Sequence, residues 1–269
     1  MKKNQEKFSL IFPLSYPIIL TKGEKMIEKY SKNYEIRSYE VDKDKRLRLL
    51  TLFNVLQDIS DTHAEKIGVG YSFCVKEGLA WVGAGYHVKI NRLPTWRDEV
   101  TITTWPSGNT AATAYRDSMI SDEKGNPLVL VSSQWALIDV ARLRPVALAK
   151  HIDMSLWRND RAIDTNFPTL PLPERKDFDK TFYVRYDDID VNNHVNNAVY
   201  PVWASEAVPF EFRKQHELAE IKVAFKRSAV LGDVINIETQ IQDKQTRHLI
   251  KSAEGDRVYA IVDIDWREK

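Results

Sequence analysis

Cysteine is nearly absent from this chain. Cys74 is the one thiol among 269 residues, which excludes an internal disulfide framework and any multi-cysteine metal site, and which fits a reducing compartment, the cytoplasm by default. An excess of either charge is also missing: 39 Lys and Arg face 38 Asp and Glu, for a formal net charge of +1. No basic block is long enough for a nucleic-acid tail, so charge as a whole names no partner. Nor is there a run of about 20 apolar residues of the kind that inserts stably in a bilayer. The N-terminal "MKKNQEKFSLIFPLSYPIILTKGEKM" begins basic and turns apolar as a signal peptide does, yet Pro13 and Pro17 break the run and no small-residue cleavage site follows Leu20. Lys22-Gly23-Glu24, just ahead of Met26, can be encoded by a purine-rich stretch resembling a bacterial ribosome-binding site. The expectation is that translation starts at Met26 and that residues 1–25 are upstream sequence. What is present is ordinary: 43% apolar, 29% charged and 10% aromatic residues, enough for one large core or two moderate ones in a globular protein.

Two segments resemble each other. "YEIRSYEVD" at 34–42 and "FYVRYDDID" at 182–190 each place an arginine, Arg37 and Arg185, five residues before an aspartate, Asp42 and Asp190. Alternation predicts a short strand in each. A helix is predicted after each. Leu49, Phe53, Leu56, Ile59 and Ile67 recur at helical spacing up to a stop at Gly68. Val195, Val199, Val202 and Val208 mark one face of the second, with Asn196 or Asn197 as N-cap and Pro201 early enough to be tolerated. Strands follow near 80–90, 99–105, 111–121 and 128–138, and again near 220–228, 234–242, 246–252 and 257–266. A Pro- and charge-bearing segment over about 141–180 reads as a linker crossing the surface. Strand, helix and meander, twice over, predict an α+β chain of two units packed side by side. Each is a curved antiparallel sheet wrapped around a central helix, with a cleft between the units.

The most unusual stretch is "VRYDDIDVNNHVNNAVY", residues 184–200, where aspartates, asparagines and one histidine crowd between apolar flanks. Asp188, Asp190 and Asn192 match the first ligands of a calcium loop, but the sixth position is Asn193 rather than Gly and the twelfth is Val199 rather than Glu. A transition-metal site from Asp188, Asp190 and His194 has no second histidine nearby in sequence, so no metal is expected. A capped strand-to-helix turn accounts for some of the Asp and Asn residues. It leaves unexplained the histidine flanked by asparagines and the acids crowded beside it, and such crowding is a mark of functional sites.

"RYDDIDVNNHVNNAVYPVWASEAVP" resembles the signature of the acyl-acyl carrier protein (acyl-ACP) thioesterases of bacteria and plant plastids, which have two tandem hotdog domains. In the first half "YEIRSYEVD", "NVLQD", "HAEKIG", "RLPTWRDEV" and "ARLRP" are similar to that family's first domain, and the likeness runs from about Tyr34 onward. Three units are implied: an N-terminal hotdog domain over 26–145 that holds the acyl pocket, a linker over 146–180, and a catalytic hotdog domain over 181–269. By position, the family's catalytic aspartate, asparagine and histidine fall on Asp190, Asn192 and His194, with the oxyanion bound at the helix start near Asn196 and Asn197. A thioester needs an activated nucleophile, a group to orient it and donors for the oxyanion. Asp190 and His194 can supply the first, and which of them takes the proton is open. The family's plant members carry a glutamate and a cysteine where this chain has Ser228 and Ala229. The assisting role then falls to Ser228 itself, to Asp188 or to Glu206, or is dispensable. Cys74 matches no motif and reads as a small buried residue.

The first half has "KDKRLRLLTLF" where the second has "VNNHVNNAVYP", so one copy keeps the chemistry and the other serves as partner fold. Phe53, Leu56 and Ile59 are candidates for the acyl pocket, and His63 and His87 read as structural. The resemblance implies no cofactor and an acidic ACP partner, with "KDKRLR" at 43–48 or Arg142 and Arg144 as docking charges, in a monomeric pseudo-dimer or a homodimer. Rival readings are an acyl-CoA thioesterase, a non-catalytic acyl-binding module and a hotdog dehydratase.

Overall fold

The computed structural model describes residues 27–269, so the expected start at Met26 and the leader-like segment lie outside the described residues. In the first half β1 (Tyr30–Glu35) precedes α1 (Leu49–Lys66) and α2 (Tyr71–Glu77). A meander follows: β2 (Leu79–Ile90), β3 (Glu99–Asn109), β4 (Thr113–Ser121), β5 (Pro127–Asp139) and the short β6 (Arg144–Pro145). In the second half β7 (Phe178–Tyr183) leads to α3 (Val199–Ala207) and α4 (Phe210–Gln215), then β8 (His216–Phe225), β9 (Val234–Gln242), β10 (Gln245–Ser252) and β11 (Val258–Glu268). The expected duplication of strand, helix and meander is present. Strand order is β1-β3-β4-β5-β2-β8-β11-β10-β9-β7, with β6 paired to β5, so the two sheets fuse into one through β2 and β8.

Both first strands start and end earlier than expected. β1 stops at Glu35 and β7 at Tyr183, because the next residues form 3-10 turns over Ser38–Glu40 and Tyr186–Asp188. Each turn is closed by its third residue: the Arg37 N–H donates to the Glu40 carboxylate (2.9 Å) and the Arg185 N–H to the Asp188 carboxylate (2.9 Å). The apolar alternation that suggested a longer strand continues through these turns. α1 ends as its sequence indicated, with Gly68 at φ +76° donating its N–H to the Glu65 carbonyl. The helices α2 and α4 were not anticipated.

Inside each curved sheet the helix lays its apolar stripe on the strands. Leu49, Leu52, Phe53, Leu56 and Ile59 of α1 are buried with Val199, Tyr200, Trp203 and Ala204 of α3 in one continuous core that also takes in Val88, Val131, Ile221 and Val262. The joint between halves depends on Gly85. It pairs with Ala224 across β2 and β8, and a Cβ there would lie 2.8 Å from the Val223 carbonyl oxygen.

The segment between the halves does not merely cross the surface. Leu148, Ile152, Trp157, Ile163 and Leu170 are buried, and the strap they belong to runs over the outer face of the fused sheet. Beneath it cross-strand pairing aligns Trp105, Asp117, Ser132, His87, Lys222, Asp263, Arg247 and Gln240 in a single row over eight strands. At one end the Trp105 indole N–H donates to the Asp160 carbonyl (2.7 Å), and Arg161 and the Ala162 N–H donate to Asp117. At the other the Glu174 N–H donates to Gln240 (2.8 Å) and the Ile241 N–H to Asp177 (2.9 Å). Composition suggested a linker crossing the surface, whereas the polar row supplies partners that let its backbone lie down on a sheet.

His63 and His87 are each held by a neighbouring side chain, His87 Nε2 by Glu220 (2.5 Å) and His63 by Arg116. Arg116 donates from Nη1 to His63 Nδ1 (3.1 Å), and burial, then the Arg116 charge, hold the imidazole's pKa down to about 4. His248 is wholly buried between Thr239 and Thr246, and burial takes it to about 3. Both are neutral when folded and titrate near 6.5 when unfolded, so the unfolded chain binds more protons and stability is lost as pH falls from about 6.5 towards 4. The loss reaches about 1.4 kcal/mol per pH unit for each histidine. Asp263, raised to about 6 by burial, acts in the opposite sense below that pH. The melting temperature is therefore expected to fall between pH 7 and pH 5. His63→Gln, whose amide oxygen can take the Arg116 hydrogen bond without titrating, should make the fall shallower. An unchanged slope would assign the acid sensitivity elsewhere.

Candidate active site

The turn at Asp190 is built from the backbone inward. Ile189 and Val195 form an isolated bridge, the Asp190 N–H donates to the His194 carbonyl (2.8 Å), and the Asn193 N–H donates to the Asp190 carbonyl (3.0 Å). Asn193 sits at φ +59°, a conformation that Asn tolerates better than other side chains. Asp190 Oδ1 accepts the N–H groups of Asn192 (2.8 Å) and His194 (3.3 Å), while Asn192 Nδ2 stands 3.5 Å from Oδ2. The carboxylate thus closes the turn with one oxygen and leaves the other lightly engaged.

The first half repeats this turn bond for bond. Val41 bridges Leu47, the Asp42 N–H donates to the Arg46 carbonyl (2.8 Å), Lys45 sits at φ +60°, and Asp42 Oδ1 accepts the N–H groups of Asp44 (2.8 Å) and Arg46 (3.0 Å). Asp42 therefore matches Asp190, Asp44 matches Asn192 and Arg46 matches His194. The aspartate is a scaffold requirement of both turns. What differs is the side chains presented, since Arg46 is committed to an ion pair with Glu217 and the exposed His194 ring engages no group among the described residues.

At the start of α3 the Asn196 side chain accepts the Ala198 N–H (2.9 Å), and the Asn196 backbone N–H donates to the Asp188 carbonyl (2.8 Å). The Val199 N–H is taken by the Asn196 carbonyl, so the Asn197 N–H is the amide of this group with no acceptor among the described residues. The Asn197 side chain reaches across to the first half: a Cβ on Gly83, at the bulge in β2, would fall 2.7 Å from Asn197 Nδ2. Asn196 thus caps the helix and Asn197 spans the joint.

An open cavity of about 2280 Å³ brings these parts together. It exceeds the roughly 300–1,000 Å³ of an ordinary small-molecule pocket, which leaves room for a long chain beside the Asp190 turn. Asp190, Asn192, His194, Asn196, Asn197 and Ser228 all line it. Ser228 is exposed on a loop docked to the turn, where the Val195 N–H donates to the Ala229 carbonyl (2.8 Å) and the Ala229 N–H donates to the Tyr200 hydroxyl (2.9 Å).

Five expected site residues are elsewhere. Asp188 is 1% exposed and its carboxylate is taken by the Arg185 N–H and guanidinium (Nη2 2.6 Å), so it holds the 3-10 turn. Glu206 faces a separate small cleft and pairs with Arg213 (2.8 Å). Phe53, Leu56 and Ile59 point from α1 into the core; the α1 residues on the cavity wall are Gln57, Asp58, Asp61, Thr62, Ala64 and Glu65, on the adjoining face of the same helix. Helical spacing identified the buried stripe, and the cavity-facing side lies beside it. Sequence reasoning also passed over Tyr86 and the exposed Lys226 and Arg227 at the cavity edge. Gln57 was within reach, as it belongs to the quoted "NVLQD". Cys74 is buried, with its thiol pushed up to about 11 by burial. Among the described residues no group of three His, Cys, Asp or Glu could hold a metal ion, and no helix is long and apolar enough to cross a membrane.

Comparison with known proteins identifies the family. The acyl-ACP thioesterase N-terminal domain model matches residues 27–155 and the C-terminal domain model residues 172–268. A palmitoyl-acyl carrier protein thioesterase of Gossypium hirsutum is 28% identical over 84% of this chain and 58% of its own length. An oleoyl-acyl carrier protein thioesterase of Arabidopsis thaliana is 28% identical over 77% of this chain and 62% of its own. The chain thus spans about six tenths of the length of these curated relatives, both chloroplastic. A Lactobacillus plantarum structure provisionally described as an oleoyl thioesterase is 29% identical, with a TM-score of 0.76 over 90% of this chain and 96% of that one. An acyl-ACP thioesterase of Bacteroides thetaiotaomicron, 18% identical, shares the fold with a TM-score of 0.82 over 89% and 98%. The halves are two tandem hotdog units, and the chain belongs to the acyl-ACP thioesterase family.

Proposed function

We propose that this protein hydrolyses the thioester of fatty acyl-ACP, releasing a free fatty acid and ending chain elongation. The observation that carries this reading is the pair of matching turns, of which one alone presents Asn and His beside its aspartate to a cavity roomy enough for an acyl chain. A water held between Asp190 Oδ2 and the His194 imidazole attacks the carbonyl carbon and gives its proton to His194. The Asn197 N–H donates to the oxyanion, and Asn192 steadies Asp190. Collapse expels the thiolate of the carrier arm, which takes the proton back, leaving acid and thiol. Ser228, on the cavity wall next to the turn, can hold the water where the family's plant members place an acid. Catalysis is assigned to 181–269, the acyl wall to 26–145, and the segment 146–180 straps the two together.

A reducing compartment such as the cytoplasm and a pseudo-dimeric monomer fit this reading. Incubation with acyl-ACP and acyl-CoA of the same chain, read as free thiol, tests it. Thiol release from neither would overturn the reading, and release from acyl-CoA alone would favour the CoA enzyme.

Docking of an acidic carrier is assigned to Lys226 and Arg227, exposed on the loop that carries Ser228 and without an acidic partner among the described residues. The "KDKRLR" patch is largely engaged already, with Lys43 on Asp44 and Arg46 on Glu217, and Arg142 pairs with Asp139 (2.8 Å). Reversal of both residues, Lys226→Glu with Arg227→Glu, should raise KM for acyl-ACP about tenfold at low salt and leave hydrolysis of a small acyl thioester unchanged. Equal effects on both substrates would place docking elsewhere.

A further inference from the structure

Asp61 is an odd residue for an acyl wall. It lies on α1 one turn after Gln57, and both face the cavity that holds the Asp190 turn. Tyr86 enters the same wall from β2, its ring wedged against Phe53, Phe225 and Trp135 at centroid distances of 5.3, 5.6 and 6.3 Å. No protein group among the described residues engages its hydroxyl, whose pKa is pushed up by burial and further by the Asp61 charge. Asp61 is exposed to the cavity, and the protein around it raises its carboxyl against the pull of Arg116 and a hydrogen bond from Gln57. Arg116 itself is half-buried, its guanidinium lowered to about 10 by burial, and among the described residues no carboxylate lies within 4 Å of it. A closed Asp61–Arg116 ion pair would make this a structural feature, and that contact is not formed.

A plain hydrocarbon chain along this wall would strip water from Asp61 and Tyr86 and return no hydrogen bond to either. A chain hydroxyl can donate to Asp61 and accept from Tyr86, with Gln57 and Thr62 able to do both. We propose that Gln57, Asp61, Thr62 and Tyr86 form a recognition site for a hydroxyl group on the acyl chain, so that hydroxyacyl thioesters are preferred over unsubstituted ones. The proposal rests on the hydrolase reading for its reaction and on the cavity wall for its selectivity.

Dodecanoyl-, 3-hydroxydodecanoyl- and 12-hydroxydodecanoyl-ACP make a matched set. At least one hydroxylated chain should exceed the plain one about tenfold in kcat/KM, because a site built to hydrogen-bond a hydroxyl penalises its absence. Asp61→Leu and Tyr86→Phe should each collapse that ratio without an equal fall on dodecanoyl-ACP, while Asp61→Asn should keep part of it. Quenching of tryptophan fluorescence, with Trp135 on the cavity wall, gives the same comparison for the free acids without turnover. Preference for the plain chain in both measurements, or a parallel change for all three substrates in Asp61→Leu, overturns the proposal. If the wild type releases no thiol from any of the three, the hydrolase reading falls, and the fluorescence order still decides the site.

Discussion

Asp190→Asn should lower kcat/KM for acyl-ACP about a thousandfold, within the range that positioned acid-base groups contribute, while the melting temperature stays close to that of the wild type. The two halves of this statement have separate causes. The Asn carboxamide oxygen can still accept the Asn192 and His194 N–H groups, so the turn closes as before. It cannot serve as a charged group beside the attacking water. The molecule holds its own control, since Asp42 makes the same two side-chain hydrogen bonds in the first half. Asp42→Asn should match Asp190→Asn in stability and the wild type in activity. His194→Ala should fall as far as Asp190→Asn, and the double variant little further, because groups that act as a unit are not additive. Full activity in Asp190→Asn, or equal loss in Asp42→Asn, would remove Asp190 from the chemistry.

The largest loss of stability is expected from Gly85→Val. Its Cβ would sit 2.8 Å from a main-chain oxygen of the opposing strand and 3.4 Å from the Phe167 ring on the other side. Backbone cannot yield as a side-chain tip can, so relief must come from parting β2 and β8. Overpacking of this kind costs about 1–3 kcal/mol or more, and here it also loosens the strand pair that fuses the two sheets. Soluble yield and melting temperature should both drop. Gly83→Ala makes a useful contrast, because its Cβ meets the movable amide of Asn197. Stability should hold there while hydrolysis declines. A Gly85→Val protein that melts with the wild type would mean that the joint can slide.

Much of this was legible in the sequence because local rules suffice. Period-2 and helical patterns located the meanders and both central helices, and the repeated Arg-to-Asp spacing marked the duplication. Asp190, Asn192, His194 and Ser228 share the cavity because a tight turn, a docked loop and a helix start are short-range features. The misses are three-dimensional. Glu206 and Asp188 are acids near the site in sequence, but one faces another cleft and the other is consumed by Arg185. Which face of α1 meets the cavity, and so why Gln57 and Asp61 rather than Phe53 line it, follows from how the second half is set against the first. The strap was misjudged because its composition is that of a loop, and its partners are residues up to 66 positions away.

The fused sheet has one more consequence. In a symmetric pair of identical subunits, every change to a catalytic turn is also a change to the wall that faces it, because both come from the same coding sequence. With the roles proposed above, Asp190 and His194 lie after the strap and Gln57, Asp61 and Tyr86 before it, on different stretches of one chain. Selection, natural or in the laboratory, can therefore alter what is bound without touching what is cut.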